Sequence, residues 1–155
     1  EAAIFASRHS YFATSQRVQA FISSCERLGI ETDEKYILKG SSTRNGGYEI
    51  GKQYAALKEP PKMIFCDSDA IALGALRAFH EEGISVPGDA ELLSIGMLDP
   101  EAASYYVPSL SVVEMPNKEI GQQVLRLMRK KVLNNDISSE HVKVHAKLML
   151  RESFS

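Results

Sequence analysis

The chain has 155 residues, 44% of them hydrophobic, and carries a net charge of -2 at pH 7 with a pI near 6.1. That is enough apolar material to bury the core of one α/β unit, and it lacks the basic surplus that a free-standing nucleic-acid binder carries. The longest apolar runs fall well short of a membrane span, so no membrane contact is expected.

Taken in order, Ala2 to Ala6 (AAIFA) reads as a short apolar strand. A natural domain rarely opens inside a core strand, so the chain is expected to be a fragment. Ser7 to Ser15 reads as a polar loop, and Val18, Phe21, Ile22, Cys25 and Leu28 then mark one face of a helix that Gly29 ends. Arg17 stands near the start of that helix, where a cation works against the macrodipole, so a purely solvated role would place it elsewhere. Lys35 to Leu38 reads as a second strand and Gly40 to Asn45 as a polar turn. Gly46 and Gly47 precede a helix carrying Tyr48, Gly51, Tyr54, Ala55 and Leu57.

The most informative stretch is Pro60 to Gly83. Two prolines that cannot join a helix interior are followed by Met63, Ile64, Phe65 and Cys66, a short buried strand. Asp67, Ser68 and Asp69 form the polar turn after it, and such residues cap helices. Ile71, Ala72, Leu73, Ala75, Leu76 and Phe79 follow at helical spacing, with Gly83 as C-cap. In a parallel sheet, the turn after a strand's carboxyl end is where ligands meet the free N–H groups of helix N-termini.

Glu91 to Ile95 is a further strand and Gly96 to Pro100 its terminal turn. Ile120, Val124, Leu127 and Met128 make a helical stripe within Asn117 to Asn134. The tail alternates Val142, Val144, Ala146, Leu148 and Leu150 against Lys143, His145, Lys147, Met149 and Arg151, the period of a half-buried strand. Arg126, Arg129, Lys130 and Lys131 fall in the last turns of the helix, where the dipole favours cations. Cys25 and Cys66 read as reduced core residues.

The string CDSDAIALGALRAFHEEGISVPGDAELLSIG closely resembles the lactose- and galactose-repressor family of bacterial transcription regulators. That family shows a polar residue and Asp, an Ala-x-Gly-Ala-rich helix, Gly, Val-Pro, an acidic residue and a hydrophobic strand in this order. SQRVQAF is similar to its Arg-x-x-Gly-Phe segment, with Ala20 in place of Gly. AASYYVPSLSVVEMP resembles the Tyr-x-x-Pro-x-Leu-Thr-Thr-Val crossing between its two lobes. The resemblance implies an α/β fold, an open mostly parallel sheet with helices on both faces, forming one lobe of a two-lobe periplasmic-binding-protein-like domain. Residues 1–110 would be roughly the second lobe and 111–155 the crossing strand, helix and C-terminal strand. The helix-turn-helix DNA reader and most of the first lobe would lie outside the chain. The helix from Asn117 would pack on that first lobe in the family, so its stripe is expected to be covered by another chain or by a packing unlike the family's.

The function so implied is effector binding and dimerisation in a cytoplasmic regulator, with a small ligand, a sugar by resemblance, altering how paired DNA readers sit on operator DNA. Effector-binding residues would be Arg17, which grips ligand hydroxyls or a carboxylate, and Ser68, with Asp69 as helix cap and anchor behind it. Ser42 falls where several relatives stack an aromatic ring, and a serine can offer only hydrogen bonds there. Asp99 would order its loop, since Leu98 occupies the position that commonly supplies a carboxylate or amide. No cofactor is implied. Two alternatives stand beside this reading: a solute-binding protein of a transport system with the same two-lobe fold, and a metal-dependent enzyme using Asp67 and Asp69. The enzyme lacks GxxxxGK[ST], GxSxG and HExxH, and His9, His80, His141 and His145 are scattered.

Overall fold

The computed structural model describes residues 1–9, 12–96, 101–134 and 139–154. Strand β1 (Ala2–Ser7) is buried at every position, the continuous apolar run of an interior parallel strand. Helix α1 spans Phe12–Leu28, starting earlier than the loop expected over Ser7 to Ser15. No glycine or proline interrupts its first turns, and Thr14 turns inward and is buried. Arg17 therefore sits in the second turn, where the dipole's penalty on a cation has largely faded.

Strand β2 is Ile37–Gly40, not Lys35 to Leu38, because Asp33 caps a single 3-10 turn over Glu34–Tyr36 and accepts from the Lys35 N–H at 3.0 Å. Helix α2 (Arg44–Ala55) is capped by Thr43, whose hydroxyl accepts from the Gly46 N–H at 3.1 Å. Gly46 and Gly47 thus lie inside the helix rather than before it, and both are buried. A Cβ on Gly46 would strike the main chain of Ser41, and one on Gly47 the carbonyl of Ile71. These glycines let neighbouring backbone approach, which is worth their cost in helix propensity.

Strand β3 (Met63–Cys66) leads into helix α3 (Asp69–Glu82), which Gly83 ends in the left-handed conformation at φ 72. Strands β4 (Glu91–Gly96) and β5 (Ser111–Glu114), helix α4 (Asn117–Asn134) and strand β6 (Lys147–Met149) complete the order. Among the described residues the strands form one six-stranded sheet ordered β2-β1-β3-β4-β5-β6, parallel except for β6.

Alternate residues serve opposite faces. Phe5 meets Tyr54 of α2 and Phe79 of α3 edge-on, and Ile64, Cys66, Leu92 and Val112 join them in the main core. Phe65 points the other way and stacks on Phe21 of α1 at 6.0 Å. The expected α/β sheet with helices on both faces is what forms. Cys25 and Cys66 are buried free thiols, as read from the sequence.

The tail departs from expectation. Among the described residues of the tail only Lys147–Met149 pairs in the sheet, with β5, and all three are exposed because β6 is the edge strand. Its anchor comes later: the Ser153 hydroxyl donates to the Leu92 carbonyl at 2.6 Å and accepts from the Ser111 N–H at 2.8 Å, fully buried. Arg151 donates from Nη1 to the Leu110 carbonyl at 2.7 Å. On α4, Val124, Leu125, Met128, Val132 and Leu133 stand exposed, so the chain's own described residues leave that apolar surface bare.

Candidate functional site

The chain runs from β1 outward to β2, then crosses back over β1 to β3, so its direction of winding reverses between the carboxyl ends of β1 and β3. Open α/β sheets bind ligands in the crevice at such a reversal. Here Ser7 ends β1 and Cys66 ends β3, directly followed by Asp67.

Asp67 is 2% exposed. Its N–H donates to the Phe5 carbonyl at 2.9 Å and its Oδ2 accepts from the Ser7 N–H at 3.1 Å, tying the two strand ends together. Its carbonyl accepts from Arg17 Nη1 at 2.9 Å. Arg17 is half-buried, so the guanidinium is held at the rim of the crevice. Ser68 is the N-cap of α3, its hydroxyl accepting a long bond of 3.4 Å from the Ile71 N–H. This corrects the expectation for Asp69, which occupies the first helical position, buried, where its charge suits the dipole. The hydroxyl of Ser68 fits the cap because it reaches back to the third residue on.

Ser42 lies exposed in the connection from β2 to α2, on the same carboxyl edge. Asp99 and Leu98 lie outside the described residues. The structure thus brings Arg17, Asp67, Ser68 and Asp69 together and leaves Ser42 one strand further out. Asp67 and Ser7 were missing from the expected effector residues. The signal for them was an aspartate placed immediately after a buried strand, where a carboxylate must find a donor. Burial pushes the neighbouring Cys66 thiol well up, with the Asp67 charge adding to it, so this cysteine is no nucleophile.

The metal reading of Asp67 and Asp69 meets a different geometry. The Asp67 carboxylate is buried and committed to the Ser7 N–H, and among the described residues no group of three or more His, Cys, Asp or Glu is placed to hold a metal ion. A roomier recess of about 650 Å³ lies elsewhere, at the root of α4 between Met115, Gln122, His145 and Lys147. Convergence of hydrogen-bonding groups at a winding reversal is the better guide to a polar ligand site. Beside Arg17 an apolar groove of about 380 Å³ runs past Ala20, Phe21, Phe65, Ile95 and Val113. Among the described residues no helix is long and apolar enough to cross a membrane.

Doubly wound topology with polar groups gathered at the reversal defines a domain of the small-molecule-binding α/β class. The chain belongs to the periplasmic binding protein-like domain family, whose pattern matches residues 1–154. Its relatives are regulators of the lactose- and galactose-repressor kind. The HTH-type transcriptional repressor PurR of Mannheimia succiniciproducens is 30% identical over 138 residues, 89% of this chain and 41% of the relative. The HTH-type transcriptional repressor CytR of Escherichia coli K12 is 29% identical over 137 residues, 88% of this chain and 40% of the relative. Among solved structures, a LacI family transcription regulator from Clostridium acetobutylicum superposes with a TM-score of 0.90 at 30% identity, covering 97% of this chain and 56% of the other. A sugar-binding transcriptional regulator of the LacI family from Escherichia coli, solved with phosphate, gives 0.87 at 27% identity over 99% of this chain and 54% of the other. The chain spans about two fifths of these curated relatives and just over half of these solved chains.

Proposed function

We propose that this chain is the effector-binding part of a transcriptional repressor, in which a small ligand at the carboxyl edge of β1 and β3 changes the affinity of a separate DNA-reading domain for its operator. The observation that carries the proposal is the fixing of Arg17 and Ser68 around Asp67 at the winding reversal. Arg17 supplies charged donors to ligand oxygens and Ser68 a hydroxyl, while Asp69 braces the helix start. Ser42 extends the site along the edge, and the family resemblance adds Asp99 as a further effector residue. A sugar is the ligand class that the sugar-binding relative favours. Kinship to repressors speaks for this reading over a transport protein or a metal-dependent enzyme.

In this reading residues 1–110 are the second lobe, and 111–155 hold the crossing strand, the helix and the returning strand. The bare apolar surface of α4 then docks on a first lobe carried by the whole protein, the ligand closes the two lobes, and the regulator works as a cytoplasmic homodimer. Closure shifts a two-state equilibrium by the ligand's differential affinity for its two states.

The test is a thermal-shift screen of sugars against the whole protein, followed by calorimetry on Arg17→Ala and Ser68→Ala. Losing charged hydrogen bonds to a ligand costs about 1.5–3 kcal/mol, roughly a ten- to hundredfold rise in Kd for Arg17→Ala. Unchanged affinity in a folded Arg17→Ala would remove this edge as the effector site.

A further inference from the structure

In a regular parallel ladder, a residue that donates its N–H to one carbonyl of the neighbouring strand accepts, on its own carbonyl, the N–H two residues further along that strand. The Asp67 N–H donates to the Phe5 carbonyl at 2.9 Å, so the Asp67 carbonyl is the regular acceptor for the Ser7 N–H. It does not play that part. The Asp67 carboxylate takes the Ser7 N–H at 3.1 Å, and the released carbonyl accepts from Arg17 Nη1 at 2.9 Å.

We propose that Asp67 is the positioning residue of the effector site: its carboxylate replaces its own carbonyl in the β1–β3 ladder, which frees that carbonyl to seat the Arg17 guanidinium. Two ordinary demands meet in this one residue. Ser7 is 5% exposed, so its N–H needs an acceptor, and Asp67 Oδ2 supplies it. Arg17 enters from α1 on one face of the sheet, and the Asp67 carbonyl gives it a fixed acceptor at the strand end. Asp67→Ala would draw the carbonyl into the ladder, where it shares itself between the Ser7 N–H and Arg17 and holds the guanidinium less firmly. Preorganisation of this kind lowers the ordering cost of binding, so Asp67 acts on the ligand through Arg17. The inference rests on the effector reading for its purpose, but its structural content does not need a ligand.

The experiment is NMR of the full 155-residue chain, uniformly labelled with nitrogen-15, with the Arg17 side-chain signals assigned from Arg17→Lys. A seated guanidinium turns slowly and gives resolved Nη signals. In Asp67→Ala these are expected to broaden toward an averaged line, while the Ser7 amide keeps its protection from hydrogen exchange because the carbonyl has taken it back. In Asp67→Asn, whose side-chain oxygen can still accept from Ser7, the resolved Arg17 signals persist. General damage at the turn would instead release Arg17 and expose Ser7 together, and that result overturns the proposal. Resolved Arg17 signals in a folded Asp67→Ala overturn it too. Should the alanine fail to fold, Asp67→Ser, polar but too short to reach, carries the same comparison. Absence of any sugar binding would remove the sugar assignment and leave this result standing.

Discussion

Gly74 of α3 rests directly on the main-chain carbonyl of Arg44 in α2, with no space for even a methyl group between them. Gly47 returns the contact against Ile71, and Gly51 faces Ala75 and Ala78 further along. The two helices on this face of the sheet therefore pack backbone to backbone.

Gly74→Ala must push the helices apart, and overpacking of this kind costs about 1–3 kcal/mol or somewhat more. Urea denaturation should show the midpoint falling with the slope unchanged. Gly121→Ala is the matching control, because a Cβ there meets nothing within 4 Å and lies in the interior of α4. It should raise stability by about 0.5–1 kcal/mol through helix propensity alone. Equal effects of the two would contradict the packing described.

Ser153→Ala removes the acceptor of the Ser111 N–H and the donor to the Leu92 carbonyl, both in the buried joint between β4 and β5. An unpaired buried group costs about 1–3 kcal/mol, so the loss should be large for one hydroxyl. Amide exchange at Ser111 is expected to rise far more than at Phe5, which lies on the other side of the sheet's centre.

Tyr54 is buried and donates its hydroxyl to the Pro61 carbonyl at 2.8 Å. Burial, with the Asp89 charge adding to it, pushes its phenol up to about 12 from 10.0. A raised folded pKa favours the neutral form, so this contribution to stability is complete below pH 10 and is lost as pH climbs from 10 to 12. Ultraviolet titration should find a late tyrosine that disappears in Tyr54→Phe, and the alkaline fall in stability should be shallower in that variant.

Glu81 accepts from the Tyr48 hydroxyl and from Arg77, which lower its carboxyl from 4.5 to about 2. A depressed folded pKa contributes stability above pH 4.5 that is lost as pH falls toward 2. Glu81→Gln should flatten that acid limb. Added salt should shrink the difference between the two proteins, since the cluster sits at the surface.

Much of this was legible beforehand, for reasons that differ between elements. β1, β3 and β4 announce themselves because interior parallel strands are apolar runs, and α3 is bracketed by its cap residues and by Gly83. Arg17 and Ser68 could be placed at one edge because each follows such a strand at short range. The start of α2 was hidden because its glycines serve a contact with α3, which no local pattern records. The start of α1 was hidden because its first turns carry polar residues on both faces. The role of Asp67 was hidden for a deeper reason: it depends on which of two oxygens on one residue joins the ladder, and that choice is made by Ser7 and Arg17, sixty and fifty positions away.

The joint made by Arg151 and Ser153 also sets an order of events at the ribosome. Synthesis delivers β5 well before β6 and the serine that seals Leu92 to Ser111, so a nascent chain halted after α4 holds β5 as an open edge strand with an unsatisfied rim. Until the last turn of the tail emerges, that rim can pair with whatever strand it meets first. A premature stop in this stretch would leave that rim open in every copy released.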